Sequence, residues 1–370
     1  MNWRRADERC PRHLARRWAG VVVPAIAALG AACAPVPLGD GTKKAVVREI
    51  ATSIISPTLD QIASRAGAMS SAIQHLTADP SQQSLDGARQ AWRHARIPWK
   101  ESEAFSLGPA VDLRLGAAID QVPVDVAKIE VEIGGTWPLT DSYVETLGAN
   151  RRGFHAIEHL LFRAEDDASV LVSLSADPRR RDFLDALSGN LERKVSELRL
   201  AWAPEGGNYL GRFIEPGTSN GTYPTIKSVI DALVNQSVFL SELIADERLG
   251  KPLGTASGAV PQPELEESGP SDNSIADMAA SLRGIRNVYS PLARLVAAQS
   301  PATDLAVRGA LEDALRSVEA IPRPYRSALS QQRPEVSAAY EAVKALKRIL
   351  ATEVVGALGA TLKFNGNDGD

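Results

Sequence analysis

Two histidines and a glutamate lie close together near the middle of the chain, in the stretch RRGFHAIEHLLFR at residues 151–163. His155, Glu158 and His159 are spaced so that their side chains would share one face of a helix. Two imidazoles and a carboxylate on one face are donors that divalent metal ions accept in proteins. Gly153, just before them, leaves room for another backbone or a ligand to come close. The spacing therefore predicts a metal site on a helix.

The stretch differs in one position from the signature of the zinc peptidases. In their HExxH signature the two histidines bind metal, and the glutamate directly after the first histidine is the general base. His155 and His159 have the required spacing, but Ala156 stands where the base should be. Glu158 would then be a ligand, or a base acting from another direction. The residues leave three functions open: metal capture, a metallopeptidase, and a structural His155–Glu158 pair that hydrogen-bonds inside a core.

Acidic and aromatic residues elsewhere supply candidates for the rest of the site. Capture of a cation needs only imidazole and carboxylate donors in a groove, and such donors suit iron, copper or zinc without deciding among them. We predict as metal ligands His155, Glu158 and Glu103. We predict as further groove residues Gly153, His159, Trp99, Glu101, Glu266 and Glu267. The alternative for the aromatic residues is a packed corner of the core, and for the acids a solvated loop.

Composition and charge limit the classes of protein to consider. The chain has 370 residues, of which 44% are hydrophobic and 23% charged, as is usual for a globular protein. Its formal net charge is −4 and it has no basic stripe, so we expect no nucleic-acid partner. It contains no phosphate-binding GxxxxGK[ST] loop, no GxSxG nucleophile elbow and no CxxCH haem attachment. Alanine and leucine dominate and strand-like alternation is scarce, which favours helices.

The N-terminus has the pattern of an export signal. Arginines are followed by an apolar run of suitable length and then by small residues before Cys33. We predict that residues 1–33 are such a signal, of the lipoprotein type, and that Cys33 carries a lipid anchor in the membrane. The alternative is ordinary cleavage near Ala32 or Ala34. Either route predicts an exported protein, located in the periplasm or, as a lipoprotein, at the outer membrane.

Amphipathic patterns predict an all-α fold in two parts. The predicted helices cover residues 42–76 with a kink at Pro57, 84–96, from about 151, 179–202, 225–246, 274–298, 303–320 and 334–357. Prolines 98 and 109 indicate that much of the segment 95–112 is not plain helix. The glycine-rich stretch 203–224 suggests a boundary. We therefore predict two helical bundles with a groove between them: an N-terminal bundle at 40–205 carrying the motif, and a C-terminal bundle at 222–365.

The chain resembles the imelysin-like family of exported bacterial proteins. Three segments carry the resemblance in the expected order: WKESEAFSLGP at 99–109, GFHAIEHLLF at 153–162, and the stretch from KPLG to NSIADMAASLRGIRNVY at 251–289. Gly153, His155 and Glu158 fit the GxHxxE motif of the family, whereas His159 replaces its commoner aromatic residue.

The resemblance implies two helical bundles with the motif near the groove between them. For function it implies either an iron-regulated envelope protein or a metallopeptidase. We therefore predict an envelope protein that binds iron or another metal, as a divalent or ferric ion or as a metal complex, in metal uptake. The runner-up is a metallopeptidase of the imelysin type, followed by a non-catalytic envelope interaction protein.

Overall fold

The structure is all-helical and comes from a computed structural model. It describes residues 38–162, 166–217, 222–255, 257–258 and 260–363. These residues form helices and loops and include no β-strand, which confirms the predicted all-α class. The predicted signal at 1–33, with Cys33, lies outside the described residues. The described residues, from 38 onward, form one compact unit, and the division into bundles at 40–205 and 222–365 stays a prediction.

The helices are numbered in chain order. In the first part of the chain they are α1 (Asp40–Ile50), α2 (Ser56–Ala78), α3 (Gln82–Ser102), α4 (Pro109–Asp112), α5 (Leu115–Ile119), α6 (Val126–Gly134), α7 (Asp141–Glu145), α8 (Phe154–Leu161), α9 (Asp167–Ala176), α10 (Pro178–Trp202) and α11 (Tyr209–Ile214). In the second part they are α12 (Ile226–Glu242), α13 (Lys251–Leu253), α14 (Ser274–Gln299), α15 (Pro301–Glu319), α16 (Tyr325–Ser330), α17 (Pro334–Ile349) and α18 (Val355–Leu358). Wider π-helical turns occur at Ala51–Ile55, Leu243–Gly250 and Leu350–Val354.

The kink predicted at Pro57 takes the form of a π-helical turn. Ala51–Ile55 joins α1 to α2 without a break in the helical backbone. Proline has no N–H to bond the carbonyl of the preceding turn, so the helix lacks one backbone hydrogen bond at Pro57, at the start of α2. The extra residue of a π turn is one way in which a helix accommodates such an interruption.

The expectation of irregular structure around Pro98 is wrong for residues 97–102. Helix α3 continues through Pro98 to Ser102. A proline inside a helix costs about 3 kcal/mol, but the turn after it is buried: Trp99 is 6% exposed and Lys100 1%. The packing and ion pairs of these side chains hold the helix together. As a result Arg96 and Lys100 lie one turn apart on the same face.

Two sets of helices meet at the contact between α3 and α14. Helix α2 packs on α3 and α10, while α14 packs on α15 and α15 on α17. Helix α14 approaches α3 closely at Gly284, where a Cβ atom would lie 2.2 Å from the carbonyl oxygen of Glu101. Glycine is therefore required at this crossing. The close approach brings the polar faces of α3 and α14 together.

The connection before α14 is partly helical. The π-helical turn Leu243–Gly250 is followed directly by α13. A capping box of Ser274 with Asp277 is not formed, because Asn273 is the N-cap and makes no side-chain cap bond. Ser274 Oγ instead accepts a hydrogen bond of 3.1 Å from the N–H of Ser268. Asp277 accepts hydrogen bonds from Asn273 and Ser268, both at 2.7 Å, and belongs to the site described below.

One helical stretch has the length and composition of a membrane span. Among the described residues this is 226–253, and half of it is buried within the protein. Helix α12, at its start, packs on α1, α14 and α17. Burial of this kind is also what a core helix shows.

Candidate metal site

Helix α8, which carries the motif, is placed by Gly153. The helix was predicted from about Arg151 and begins at Phe154. Gly153 has a φ of +80°, which residues with a side chain rarely adopt. A Cβ atom here would lie 2.3 Å from the carbonyl oxygen of Ile119. Glycine at position 153 thus allows the start of α8 to pack directly against the end of α5, next to Asp120.

His155 lies in the first turn of α8, with 3% of its side chain exposed. Its Nδ1 faces only a carboxylate and donates to Oε2 of Glu158 at 2.7 Å. The other oxygen of Glu158 accepts from the N–H and the hydroxyl of Ser271, at 3.1 and 2.6 Å. On the opposite side of the ring, Nε2 lies 3.1 Å from Oδ1 of Asp120 and 3.8 Å from Oε1 of Glu267. It makes no aligned hydrogen bond with either, so this buried nitrogen is left unpartnered.

Asp120, the residue after α5, is surrounded by donors. Its Oδ2 accepts from Trp99 Nε1 at 2.7 Å and from Lys100 Nζ at 2.8 Å. Its Oδ1 accepts from Arg96 Nη1 and faces the imidazole of His155. A carboxylate in this position is fully committed on both oxygens.

Arg96 joins Asp120 to the second set of helices. Its side chain is fully buried, and Nη2 donates to Asp277 Oδ2 at 2.7 Å and to Glu267 Oε1 at 3.2 Å. The guanidinium also lies 5.2 Å from the ring centroid of Phe154. A planar cation held on two sides and stacked on a ring has little freedom to move.

Arg248, just before α13, completes the network through Glu103. It donates to both oxygens of Glu103, at 2.9 and 2.6 Å, and its Nε lies 2.5 Å from Oε2 of Glu267. Ser281 on α14 donates to Glu103 at 2.6 Å. Lys100 donates to the same carboxylate at 2.9 Å.

These contacts define a buried ion-pair cluster that has more acids than bases. Its members are Arg96, Lys100, Glu103, Asp120, His155, Glu158, Arg248, Glu267 and Asp277. No side chain among them is more than 16% exposed. Five carboxylates face three permanent cations, so the net charge is −2 when the imidazole is neutral. The cluster therefore attracts one more cation.

Within the cluster, attraction between opposite charges shifts the pKa values more than burial does. Burial opposes charge on His155, but attraction by Asp120 prevails and raises the pKa of the imidazole well above its usual 6.5. Burial likewise opposes ionisation of Asp120, yet Arg96 and Lys100 hold its pKa well below the usual 3.8. Arg248 and Lys100 similarly hold the pKa of Glu267 well below 4.5.

We expect the stability of the metal-free protein to be greatest between about pH 4.5 and 6.5. The stability contributed by Asp120 and Glu267 is present above their ordinary pKa values of 3.8 and 4.5 and is lost as the pH falls below them. The stability contributed by protonated His155 is present below 6.5 and is lost as the pH rises toward its raised pKa. Chemical denaturation at a series of pH values measures both limbs.

A His155→Gln variant is the control for the upper limb. It removes the titrating ring, so its free energy of unfolding should no longer decline above pH 6.5, while the acid limb remains. An unchanged upper limb in this variant would show that another group causes the decline.

A cleft leads from the surface to the cluster. It encloses about 490 Å³, and Lys100, Glu103, Asp120, Arg248 and Glu267 line it on the inner side. Apolar and acidic side chains line the remainder, among them Val122, Pro123, Leu243, Leu265, Glu247 and Glu264. A volume of this size admits a small molecule as well as a hydrated ion.

The structure brings several of the predicted site residues into or beside the cluster. Glu103, Glu158 and Glu267 are members, and Trp99 donates to Asp120. His155, Asp120 and Glu267 supply the donor atoms that lie within 4.8 Å of one another. Glu158 instead accepts a hydrogen bond from Nδ1 of His155, and Glu103 accepts hydrogen bonds from Arg248.

Three other predicted residues lie apart from the cluster. His159 pairs with Glu130 at 2.9 Å. Glu101 faces Arg283 at 3.5 Å, and burial raises its pKa. Glu266 accepts from Arg326 at 2.8 Å. Glu266 lines the cleft, as the next residue, Glu267, does, but of the two only Glu267 pairs with the cations of the cluster.

Sequence reasoning missed Arg96, Lys100, Asp120, Arg248 and Asp277. For Arg96 and Lys100 a signal was present, since they precede Glu103 at helical spacing in RIPWKESE. Recognising it required continuing the helix through Pro98. Asp120 and Arg248 lie in stretches without a distinctive pattern, and only the tertiary fold brings them together.

These features define a class of protein: an all-α chain with a buried imidazole–carboxylate cluster at the inner end of a cleft. Comparison with protein families makes the assignment specific. The chain belongs to the imelysin family, since the model of the family described as Imelysin (peptidase M75) matches residues 55–352. The resemblance inferred from the three sequence segments is thereby confirmed.

Individual relatives agree with this assignment. Iron-regulated protein A of Synechococcus elongatus is 28% identical over 316 residues, which cover 82% of this chain and 83% of that protein. A solved structure from Parabacteroides distasonis, described as a proposed iron-regulated protein A precursor, has a TM-score of 0.76 at 22% identity, covering 87% of this chain and 95% of that one. An imelysin-like protein from Psychrobacter arcticum has a TM-score of 0.72 at 15% identity, covering 90% and 100%. The two structures support the fold.

Proposed function

We propose that this protein binds a metal ion at the cell envelope, as iron or another divalent or ferric ion or as a complex of one, and serves in metal uptake. The observation that carries the proposal is the arrangement around His155. Glu158 holds Nδ1, which leaves the buried Nε2 unpartnered and facing Asp120 and Glu267. A carboxylate that orients a histidine by its outer nitrogen is the usual support of a metal-binding imidazole.

The charge of the cluster supports capture of a cation. Asp120 and Glu267 each offer a carboxylate oxygen close to Nε2 of His155. A metal ion on Nε2 of His155 would replace the proton there, and with the imidazole neutral the cluster carries a net charge of −2, which one divalent ion would neutralise. Nitrogen and oxygen donors in this combination suit iron, copper and zinc. The metal is the cargo in this proposal, and the cleft is its route of entry.

A binding function agrees better with the site than a peptidase does. A metallopeptidase needs a base placed to activate a metal-bound water. Ala156 occupies the position of that base in the HExxH signature, and both oxygens of Glu158 are engaged, by His155 and Ser271. Peptide cleavage assayed with and without a chelator checks this conclusion. Cleavage that the chelator abolishes would favour the peptidase.

We further propose that the protein is exported and anchored through Cys33, which places it in the periplasm or at the outer membrane. The arginines, the apolar run and the small residues before Cys33 support this location. Mass spectrometry of the N-terminus of the mature protein tests it. A lipidated Cys33 would support the anchor, and an unmodified N-terminus near Ala34 would show simple cleavage.

The direct test is a titration of the stripped protein with ferrous, ferric, zinc and cupric ions. We expect saturable binding of at least one ion. Binding should weaken at least a hundredfold in His155→Ala, since that variant loses the only nitrogen among the three donors. The measurement is calorimetry together with metal analysis of the dialysed protein.

His159→Ala is the matched control for this titration. His159 belongs to the same helix but pairs with Glu130 outside the cluster, so its loss should leave binding unchanged. Failure of the folded wild-type protein to bind any of the four ions would overturn the proposal. Equal binding by wild type and His155→Ala would show that the metal site lies elsewhere in the protein.

A further inference from the structure

Lys100 lies where a cation would be held by Asp120 and Glu267. Its ammonium is 2.8 Å from Oδ2 of Asp120 and 2.9 Å from Oε1 of Glu103, and it also contacts Oε1 of Glu267. The side chain is 1% exposed. Asp120 and Glu267 are the same carboxylates that lie beside the unpartnered nitrogen of His155. An ammonium and a metal ion would therefore compete for the same two carboxylates.

We propose that Lys100 is a built-in competitor of the metal, whose ammonium occupies the carboxylates in the metal-free protein and moves into the cleft when an ion binds. This inference rests on the proposed metal-binding function and assigns to Lys100 the control of affinity. A metal ion beside Asp120 and Glu267 would be close to the ammonium. Their mutual repulsion in a buried site opposes the binding of both to these carboxylates.

Lys100 is the cation of the cluster with the most flexible side chain. Arg96 is held by two bonds to Asp277 and is stacked on an aromatic ring. Arg248 is held by both oxygens of Glu103. Lysine has a flexible stem of four carbons and a compact charge.

The cleft offers the displaced ammonium a destination. Lys100 lines this cleft, and acidic side chains, Glu247 and Glu264, lie along its outer part. An ammonium that swings outward therefore exchanges buried carboxylates for acids and water. The movement would remove the ammonium from Oδ2 of Asp120 and Oε1 of Glu267, whose remaining partners are Trp99 and Arg96. An ion could then use these two oxygens together with His155.

Substitution of Lys100 by methionine tests the competition, because methionine keeps the length of the side chain and removes its charge. The wild-type protein and Lys100→Met are titrated with zinc ion and, without oxygen, with ferrous ion. We expect at least tenfold tighter binding by the variant. Lys251→Met is the matched control: Lys251 also lines the cleft but is 53% exposed and pairs with Glu247, so affinity should not change.

The outcomes separate this inference from the proposed function. Equal or weaker binding by folded Lys100→Met, with a wild type that binds, overturns the competition and leaves the function intact. Binding by the variant alone would support the competition and contradict metal capture by the wild type under those conditions. Binding by neither protein would overturn both.

Amine labelling of the wild-type protein gives an answer that does not depend on the variant folding. Lys100 is buried in the metal-free protein, so acetic anhydride should modify it slowly. After loading with zinc the modification of Lys100, followed by peptide mass spectrometry, should accelerate at least fivefold relative to Lys251. Unchanged labelling of Lys100 in a zinc-loaded protein would show that the ammonium does not move.

Discussion

Replacement of Asp120 by asparagine should lower the free energy of unfolding of the metal-free protein by about 3–5 kcal/mol. Each oxygen of Asp120 faces two donors: Trp99 and Lys100 on one side, Arg96 and His155 on the other. In asparagine one oxygen becomes an NH₂ group, so either orientation of the amide sets donors against donors. The loss of charge also leaves the two buried cations with less compensation. Urea denaturation in the presence of a chelator measures the change.

Asp246→Asn is the control for the loss of one carboxylate. Asp246 is 44% exposed and lies 3.5 Å from Lys347 in a surface ion pair, and such a pair contributes about 0–1 kcal/mol. The difference in free energy of unfolding between the two variants isolates the effect of burying the carboxylate. If Asp120→Asn were no less stable than Asp246→Asn, the cluster would not depend on Asp120.

The fold class and the position of the motif were predictable because they rest on local patterns. Apolar residues at helical spacing predicted the long helices that became α2, α10, α14, α15 and α17. The spacing of His155 and Glu158 predicted that they share a helical face, and the structure joins them at 2.7 Å. Spacing alone did not distinguish a ligand from a support. That distinction depends on Ser271, which engages Glu158 from a distant part of the chain.

The remainder of the cluster was not predictable, because its members come from separate elements. Asp120 follows a short helix in a stretch without a clear hydrophobic pattern. Arg248 lies in a π-helical turn, just beyond the end of the helix predicted at 225–246. Glu266 and Glu267 look equivalent in sequence, yet Glu266 pairs with Arg326 and Glu267 with Arg248. In each case the deciding contacts are long-range, and a single sequence contains no local signal for them.

The second large effect is expected at Gly153. Gly153→Ala should lower the free energy of unfolding by about 2–6 kcal/mol, the sum of backbone strain and overpacking. The backbone there has a φ of +80° and a ψ of −165°, a region that is essentially restricted to glycine. The new methyl group would also lie 2.3 Å from the carbonyl oxygen of Ile119, so one of the two backbones must move. Thermal and chemical denaturation measure the loss.

The same substitution at another glycine, Gly87→Ala, is expected to change the free energy of unfolding in the opposite direction. Gly87 lies within α3, and a methyl group added there would have no atom outside its own helix within 4 Å, so alanine should stabilise the protein by about 0.5–1 kcal/mol.

The close approach of the backbone at Gly153, in contrast, holds α8 beside Asp120. Any folded Gly153→Ala protein should therefore also bind metal more weakly than wild type, because Nε2 of His155 would be displaced from the carboxylates. A variant as stable as wild type, with unchanged metal affinity, would show that the glycine of the motif does not position the site.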